Sequence, residues 1–193
     1  FRRVLAEGAY SAALIPVFSG VVLNPKDERE ASDFVENTTS MLLFATVVLT
    51  ILFFFGMPYI IQVLAPGFTD NKEAYELAVH FGKIIFPYII FISLAAHFAS
   101  INNVHERFAA GAFAPAILNI SFILSLFFLT PFVTTAGHAL SYGVLIGGVL
   151  QFLYLYRSVL NFYRPRIRIP VLNEKLKKFF KLFLPGVVGS GVI

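Results

Sequence analysis

The sequence contains no cysteine and no tryptophan, and only 13% of its 193 residues are charged. The absence of cysteine excludes a disulfide-stapled fold and a thiolate metal site. Soluble domains carry about 25% charged residues, so the low charge argues against that class. What the sequence has instead is apolar, since 58% of its residues are hydrophobic and 23 are phenylalanine. This composition predicts a protein embedded in a lipid bilayer.

Sequence signatures of catalysis are also missing. There is no Gly-Lys-Ser/Thr loop to cradle a nucleotide and no HExxH motif. The four histidines are scattered, with no pair at metal-ligand spacing, and no Ser-His-Asp set can be assembled from the loops. We therefore expect no enzyme activity, no catalytic residue, no bound metal and no cofactor.

Five apolar stretches are each long enough, or nearly so, to cross a membrane as a helix, which takes about 20 residues. They cover residues 1–23, 41–64, 77–101, 109–130 and 139–156. The polar stretch between the first two predicts a loop that leads into the amphipathic start of the next helix. The predicted fold class is an all-α polytopic membrane protein, a bundle of transmembrane helices.

The last part of the sequence changes character. Residues 157–178 predict a basic cytoplasmic linker that contains an amphipathic interfacial helix, and residues 179–193 predict the start of a further span. Both ends of the sequence look like the middle of a span, so we expect a piece of a longer protein.

Basic residues are unevenly distributed among the predicted loops. The loops at 24–40, 102–108 and 157–181 hold nearly all of them, whereas the loops at 65–76 and 131–138 hold only Lys72. Because lysine and arginine concentrate in cytoplasmic loops, the first set is predicted to be cytoplasmic. The RPRIRIP run would suit nucleic acid in a soluble protein, but between two spans it predicts contact with anionic membrane lipids instead.

Three charged residues stand near the start of the first predicted span: Arg2, Arg3 and Glu7. Arg3 and Glu7 share a helical face, and Ser11 continues that stripe. A charge at membrane depth costs about 2.5–3.5 kcal/mol on insertion scales. Two interpretations remain open from the residues alone. The charges form a cationic pocket for an anionic substrate, or they snorkel to the membrane surface at a helix end.

A few further residues are candidates for structural or gating roles. Pro16 is a candidate bend in the first helix, and Asn103 and Arg107 lie in a short polar turn. Asn119 is a candidate for hydrogen bonding between helices. His97 lies alone within a span, where a hydrogen-bonding role in helix packing is favoured over a proton relay.

Several stretches together resemble the MurJ (MviN) lipid II flippases of the multidrug/oligosaccharidyl-lipid/polysaccharide exporter superfamily. The stretches are RRVLAEGAYSAALIPVFS (2–19), LAPGF (64–68), FPYIIFISL (86–94), NNVHERFAAGAFAPAILNIS (102–121) and GGVLQFLYLY (147–156). They occur in the family's order over nearly the whole sequence. Departures are Ala12 and Ala13, where a Gln-Ala pair is common, and His97, where a small residue is usual.

The resemblance implies a bundle of fourteen helices, in two six-helix lobes and two further helices. This sequence would supply the second to sixth helices and part of the seventh. Residues 1–156 would hold the five transmembrane helices of a MATE-like N-terminal lobe. It also implies that the family's essential cavity arginine is Arg2, while Arg3 and Glu7 match two neighbouring family positions. The implied activity is alternating-access transport of the undecaprenyl-diphosphate-linked peptidoglycan precursor across the bacterial inner membrane.

The implied partners are the lipid-linked precursor and the cell-wall synthesis machinery, with no nucleic acid. Two alternatives stay open. One is another exporter of the same superfamily, for polysaccharide-linked lipids or drugs. The other is a membrane scaffold that transports nothing, in which the charges of the first span are snorkelling residues.

Overall fold

The computed structural model describes residues 9–24, 29–68, 70–171 and 174–190, which are almost entirely helical and contain no strand. Seven helices follow one another along the chain: α1 (Ala9–Leu23), α2 (Glu30–Leu64), α3 (Lys72–Ile85), α4 (Tyr88–Val104), α5 (Phe108–Leu129), α6 (Ala136–Val159) and α7 (Glu174–Ser190). Short 3-10 turns follow α2 at Pro66–Phe68 and α5 at Thr130–Phe132. The fold is therefore an all-α one, as predicted.

Four helical stretches in the described residues are long and apolar enough to cross a membrane: Glu30–Leu64, Lys72–Val104, Phe108–Phe132 and Ala136–Val159. Many of their large apolar side chains point outward; Phe55 and Phe127, for example, are 75% and 76% exposed. Soluble proteins rarely expose large contiguous apolar surfaces. The outward faces of these helices are suited to lipid, and the chain is a polytopic membrane protein.

Helix α2 begins well before the predicted span at 41–64. The predicted loop 24–40 is helical from Glu30 onward, because this stretch buries one face: Phe34 is 3% exposed and Val35 is fully buried. Glu30 and Asp33 occupy the first turn, where negative side chains interact favourably with the helix dipole. The amphipathic start of the helix is therefore longer than the sequence suggested, and the loop is shorter.

The predicted span 77–101 contains a break. Helix α3 ends at Ile85 and α4 begins at Tyr88, with a turn at Phe86 and Pro87. Proline has no backbone N–H and clashes with the preceding turn of a helix. The backbone N–H groups of Ile89 and Ile90 donate to the carbonyls of Phe86 and Pro87, at 3.0 and 3.1 Å, so the chain continues through one tighter turn.

The predicted boundary between the linker and the last span, at residues 178 and 179, lies inside α7. This helix runs unbroken from Glu174 to Ser190. A helix that lies at the membrane interface and a helix that crosses the membrane have the same backbone conformation and differ only in their surroundings. One continuous helix can therefore contain both stretches. Whether α7 crosses the membrane stays a prediction.

The chain forms two compact units, made of residues Phe1–Phe44, Ile92–Ala114 and Phe152–Ile193, and of residues Ala45–Phe91 and Pro115–Gln151. In the second unit, glycines of α6 allow close approach of neighbouring side chains. A Cβ at Gly143 would stand 2.8 Å from the Ser125 Cβ of α5, and one at Gly148 would stand 2.5 Å from the Tyr88 ring. Small residues at such crossings let membrane helices pack tightly.

The connection between α4 and α5 contains a residue in the left-handed conformation, Glu106, with φ of 60°. The Arg107 N–H donates to the Asn102 carbonyl at 2.9 Å, and the Glu106 N–H donates to the Asn103 carbonyl at 3.1 Å. These two bonds form a Schellman motif, which satisfies the last carbonyls of α4. Glycine is the usual residue at the left-handed position, so glutamate here carries a backbone cost.

Replacing Glu106 by glycine is expected to stabilise the protein by about 0.5–1 kcal/mol. The left-handed conformation costs a non-glycine residue about 1–2 kcal/mol, and the greater freedom of glycine in the unfolded chain offsets part of the gain. Thermal unfolding of the detergent-solubilised protein measures the change. Glu106→Ala is the control, because it removes the carboxylate and keeps the backbone cost. A glycine variant no more stable than the alanine variant would contradict this account.

Candidate functional site

The three predicted cavity residues, Arg2, Arg3 and Glu7, lie outside the described residues. The description of the first helix begins just after them, at Ala9. The neighbouring residues of α1 show what holds this helix in place, and they belong to the first unit. Their contacts therefore show how α1 is anchored directly after the predicted charged residues.

A buried hydrogen-bond network joins α1, α2 and α4 through His97, whose side chain is fully buried. Thr39 donates its hydroxyl hydrogen to the Val35 carbonyl at 2.7 Å, so it accepts from His97 Nε2–H at 2.9 Å. His97 Nδ1 then accepts from the Tyr10 hydroxyl, also at 2.9 Å. A neutral imidazole with its proton on Nε2 satisfies every member of this network, since buried polar groups need partners.

A second polar contact lies one residue further along α1. Ser100 donates to the Ala96 carbonyl at 2.8 Å, so Ser11 is the donor in its 2.8 Å contact with the Ser100 hydroxyl. The Ser11 side chain thus binds α4. Tyr10 also packs edge-on against Phe179 and Phe183 of α7, with ring centroids 5.4 and 6.0 Å apart. Helix α1 is held on α4 and α7 by adjacent residues.

Tyr10→Phe is expected to lower the free energy of unfolding by about 1 kcal/mol. The change removes the donor to His97 and keeps the ring packing; hydrogen bonds between membrane helices are worth about 0.6 kcal/mol on average and up to about 1.7. Unfolding in detergent is the measurement. Tyr142→Phe, on an outward-facing part of α6, is the matched control. Equal stability of the two variants would contradict a packing role for the Tyr10–His97 hydrogen bond.

The other predicted structural or gating residues are spread over the fold. Helix α1 continues through Pro16, which lines a cleft of about 250 Å3 together with Gly20, Asn24, Lys175 and Lys178, among others. Asn103 contributes its backbone carbonyl to the Schellman motif. Asn119 is exposed on α5 and has no hydrogen bond among the described residues. These residues do not form one cluster.

Arg107 belongs to an aromatic stack at the end of α4. Its guanidinium lies 4.7 Å from the centre of the Phe162 ring, and that ring is stacked on His105 with centroids 4.0 Å apart. His105 Nε2 also lies 3.1 Å from the Tyr163 hydroxyl. Burial, with a smaller effect of the Arg107 charge, lowers the pKa of His105, and burial raises the pKa of Tyr163. Both groups therefore favour their neutral forms at neutral pH.

The basic linker is fastened to the start of α2 by a set of contacts that we call the linker clasp. It comprises Asp33, Glu36, Asn37 and Ser40 of α2 and Arg168 and Val171 of the linker. The Asn37 amide pairs with the Val171 backbone in both directions, at 2.5 and 2.7 Å. The Arg168 N–H donates to the Ser40 hydroxyl at 2.9 Å, and its guanidinium lies 3.0 Å from the Asp33 carboxylate and 3.5 Å from that of Glu36.

Sequence reasoning missed the linker clasp. A signal was present, because acids on the amphipathic start of α2 and bases in the linker carry opposite charges on the same predicted side of the membrane. Lys175 of α7 likewise pairs with Glu30. The clasp uses Arg168 and leaves Arg164 and Arg166 exposed, so only part of the basic linker is available to other partners.

Comparison with known proteins adds independent findings. The family model described as lipid II flippase MurJ matches residues 1–193. A probable lipid II flippase MurJ of Rhizobium tropici is 34% identical over the whole chain and 37% of its own length. The lipid II flippase MurJ of Burkholderia cenocepacia is 35% identical over 79% of the chain and 29% of its own length.

A solved structure of lipid II flippase MurJ in an inward closed conformation superposes with a TM-score of 0.76 at 30% identity. The match covers 97% of this chain and 38% of that protein. The match thus spans about a third of the length of these relatives.

Proposed function

Because the chain belongs to the lipid II flippase MurJ family, we propose that the protein translocates the undecaprenyl-diphosphate-linked peptidoglycan precursor across the membrane by alternating access. It is a multi-pass protein of the bacterial inner membrane. The observation that carries the proposal is the family match along the whole chain, together with a superposition that covers nearly all of it.

The chemistry of the predicted cavity residues suits this cargo. A diphosphate carries negative charge that needs cationic partners in a partly dry site. One arginine side chain can donate two parallel hydrogen bonds to the oxygens of a phosphate. We propose that Arg2 contacts the diphosphate directly and that Arg3 adds to the positive potential. Glu7, four positions after Arg3 in the sequence, would orient that guanidinium and limit the uncompensated charge.

The described contacts of α1 support a positioning role for this helix. A cavity residue must be held to within a fraction of an ångström by a rigid support. Tyr10 and Ser11 supply such support just after the charged stretch, through His97 and Ser100 of α4. Along the predicted stripe of Arg3, Glu7 and Ser11, the first two side chains would face the cargo. The third, Ser11, contacts Ser100 of α4.

We also propose two kinds of partner beyond the precursor. The exposed Arg164 and Arg166 of the linker lie beside Ile167 and Ile169, which are 75% and 87% exposed. Basic and apolar side chains together suit the headgroup region of an anionic lipid surface. The cell-wall synthesis machinery, which supplies and consumes the precursor, is the expected protein partner.

The test is to supply the whole protein to a bacterium depleted of its own flippase and to measure the precursor exposed on the outer face of the inner membrane. The proposal expects exposure and growth to be restored. Accumulation of precursor on the inner face, with the protein correctly inserted, would overturn it. Export of a polysaccharide-linked lipid or a drug in the same strain would then favour another exporter activity, and no transport at all would favour a scaffold.

A further inference from the structure

At the end of α6 the first unit contains an open pocket of about 460 Å3, lined by Tyr154, Arg157, Ser158, Leu160 and Asn161. Its volume is within the range of about 300–1,000 Å3 typical of small-molecule sites. We propose that this pocket binds the phosphate headgroup of an anionic phospholipid such as phosphatidylglycerol. The proposal rests on the membrane setting of α6 and is independent of the cargo.

The pocket offers hydrogen-bond donors and no carboxylate. Arg157 lies in the last turn of α6 and has no ion pair in the part of the chain that the structure describes. The Tyr154 hydroxyl has no hydrogen bond there either. Asn161 donates one amide hydrogen to the Ser158 carbonyl at 3.1 Å, and its second amide hydrogen remains available. A phosphodiester accepts hydrogen bonds and donates none, so it matches this set.

The competing acceptors at the helix end are already satisfied. Carbonyls at a helix C-terminus normally disfavour an anion. Here the Tyr156 carbonyl accepts from the Leu160 N–H at 3.1 Å, and the Val159 carbonyl accepts from the N–H groups of Phe162 and Tyr163, both at 2.9 Å. The Ser158 hydroxyl hydrogen is likewise committed, to Asn102 Oδ1 at 2.7 Å. Arg157 therefore dominates the potential in the pocket.

An apolar wall next to the pocket favours a lipid over a soluble anion. Leu153, one position before Tyr154, is 50% exposed, and Phe113 of α5 is 53% exposed. The Phe113 and Tyr154 rings are in contact, with centroids 5.8 Å apart. An acyl chain can lie along these side chains while the phosphate meets Arg157, which is the arrangement of a helix end at a membrane surface.

Native mass spectrometry of the whole protein tests the proposal, after reconstitution in vesicles of equal parts phosphatidylglycerol and phosphatidylcholine. The expected result is selective retention of phosphatidylglycerol. Arg157→Gln should reduce that retention about tenfold, since one charge-assisted contact is lost. Tyr154→Phe, which keeps the ring and removes one donor, should reduce it less.

Lys72→Gln is the matched control, because it removes one positive charge from a position outside the linker, where the Lys72 side chain is 90% exposed. Retention close to wild type in this control, with loss in Arg157→Gln, supports a defined site. Equal loss in both variants would show that net surface charge alone holds the lipid, and retention of both lipids in equal amounts would show that the pocket does not select an anion. Either result overturns the proposal. Transport plays no part in this readout, so its failure and that of the proposed function are distinguishable.

Discussion

Replacing Arg2 by alanine in the whole protein is expected to abolish transport of the lipid-linked precursor and growth of a flippase-depleted strain. The reason is the loss of the proposed charge-assisted contact to the diphosphate, since such a contact is worth about 1.5–3 kcal/mol. Each 1.4 kcal/mol is about tenfold in affinity, so cargo binding should fall on the order of 10- to 100-fold. The measurement is growth together with precursor exposed on the outer membrane face.

Two companion variants separate the role of Arg2 from charge in general. Arg2→Lys keeps the charge and loses the paired geometry of the guanidinium, so transport should be impaired but not abolished. Arg164→Ala removes an exposed arginine of the linker and should leave growth normal. Full complementation by Arg2→Ala, at normal expression, would remove Arg2 from the proposed site.

Replacing Gly143 by isoleucine is expected to lower the free energy of unfolding by about 3 kcal/mol. A Cβ at this position would stand 2.8 Å from both the Cβ and the hydroxyl oxygen of Ser125. The Ser125 Cβ is fixed to its backbone, so α5 and α6 must move apart locally, and overpacking of this kind costs about 1–3 kcal/mol. Because the close contact between α5 and α6 would also be lost, we expect a destabilisation at the upper end of this range.

Gly56→Ile is the matched control for this change, since Gly56 lies in the same unit and a Cβ there would meet only the flexible end of Ile60, at 3.8 Å. It should unfold within about 0.5 kcal/mol of the wild type, as surface changes usually do. Thermal unfolding in detergent and the yield of folded protein measure both variants. Equal stability of the two variants would show that the α5–α6 contact is not tight.

Composition and the length of the apolar stretches predicted the fold class, because a helix that crosses a bilayer needs about 20 mostly apolar residues. Residues 109–130 and 139–156 are mostly apolar and contain no charged residue, and the structure has helices Phe108–Leu129 and Ala136–Val159 there. This requirement predicts less where one face of a helix is buried in protein rather than exposed to lipid. The start of α2 shows this, because its buried polar residues Asn37, Thr38 and Ser40 look like a loop in a hydropathy reading.

Contacts between distant residues were beyond the sequence. Thr39 and His97 are 58 positions apart, and Asn37 and Val171 are 134 apart; no local pattern pairs them. His97 was predicted to be a hydrogen-bonding residue within a span, but its partners required the structure. For the candidate site, the sequence was informative, whereas its three charged residues lie outside the part of the chain that the structure describes. The importance of Arg2, Arg3 and Glu7 was predicted from charge in an apolar span and from family resemblance, and their roles stay predictions.

The central claim is that the charged face of the first helix lines a water-filled cavity. The direct measurement is the reaction of an aqueous thiol reagent with a single cysteine at position 7, introduced as Glu7→Cys into the whole protein after removal of any native cysteine. Phe55→Cys is the control, because Phe55 is 75% exposed on an apolar helix face that is suited to lipid. Our account predicts rapid labelling at position 7, slowed by added precursor, and little labelling at position 55. Equal protection of both positions would contradict it.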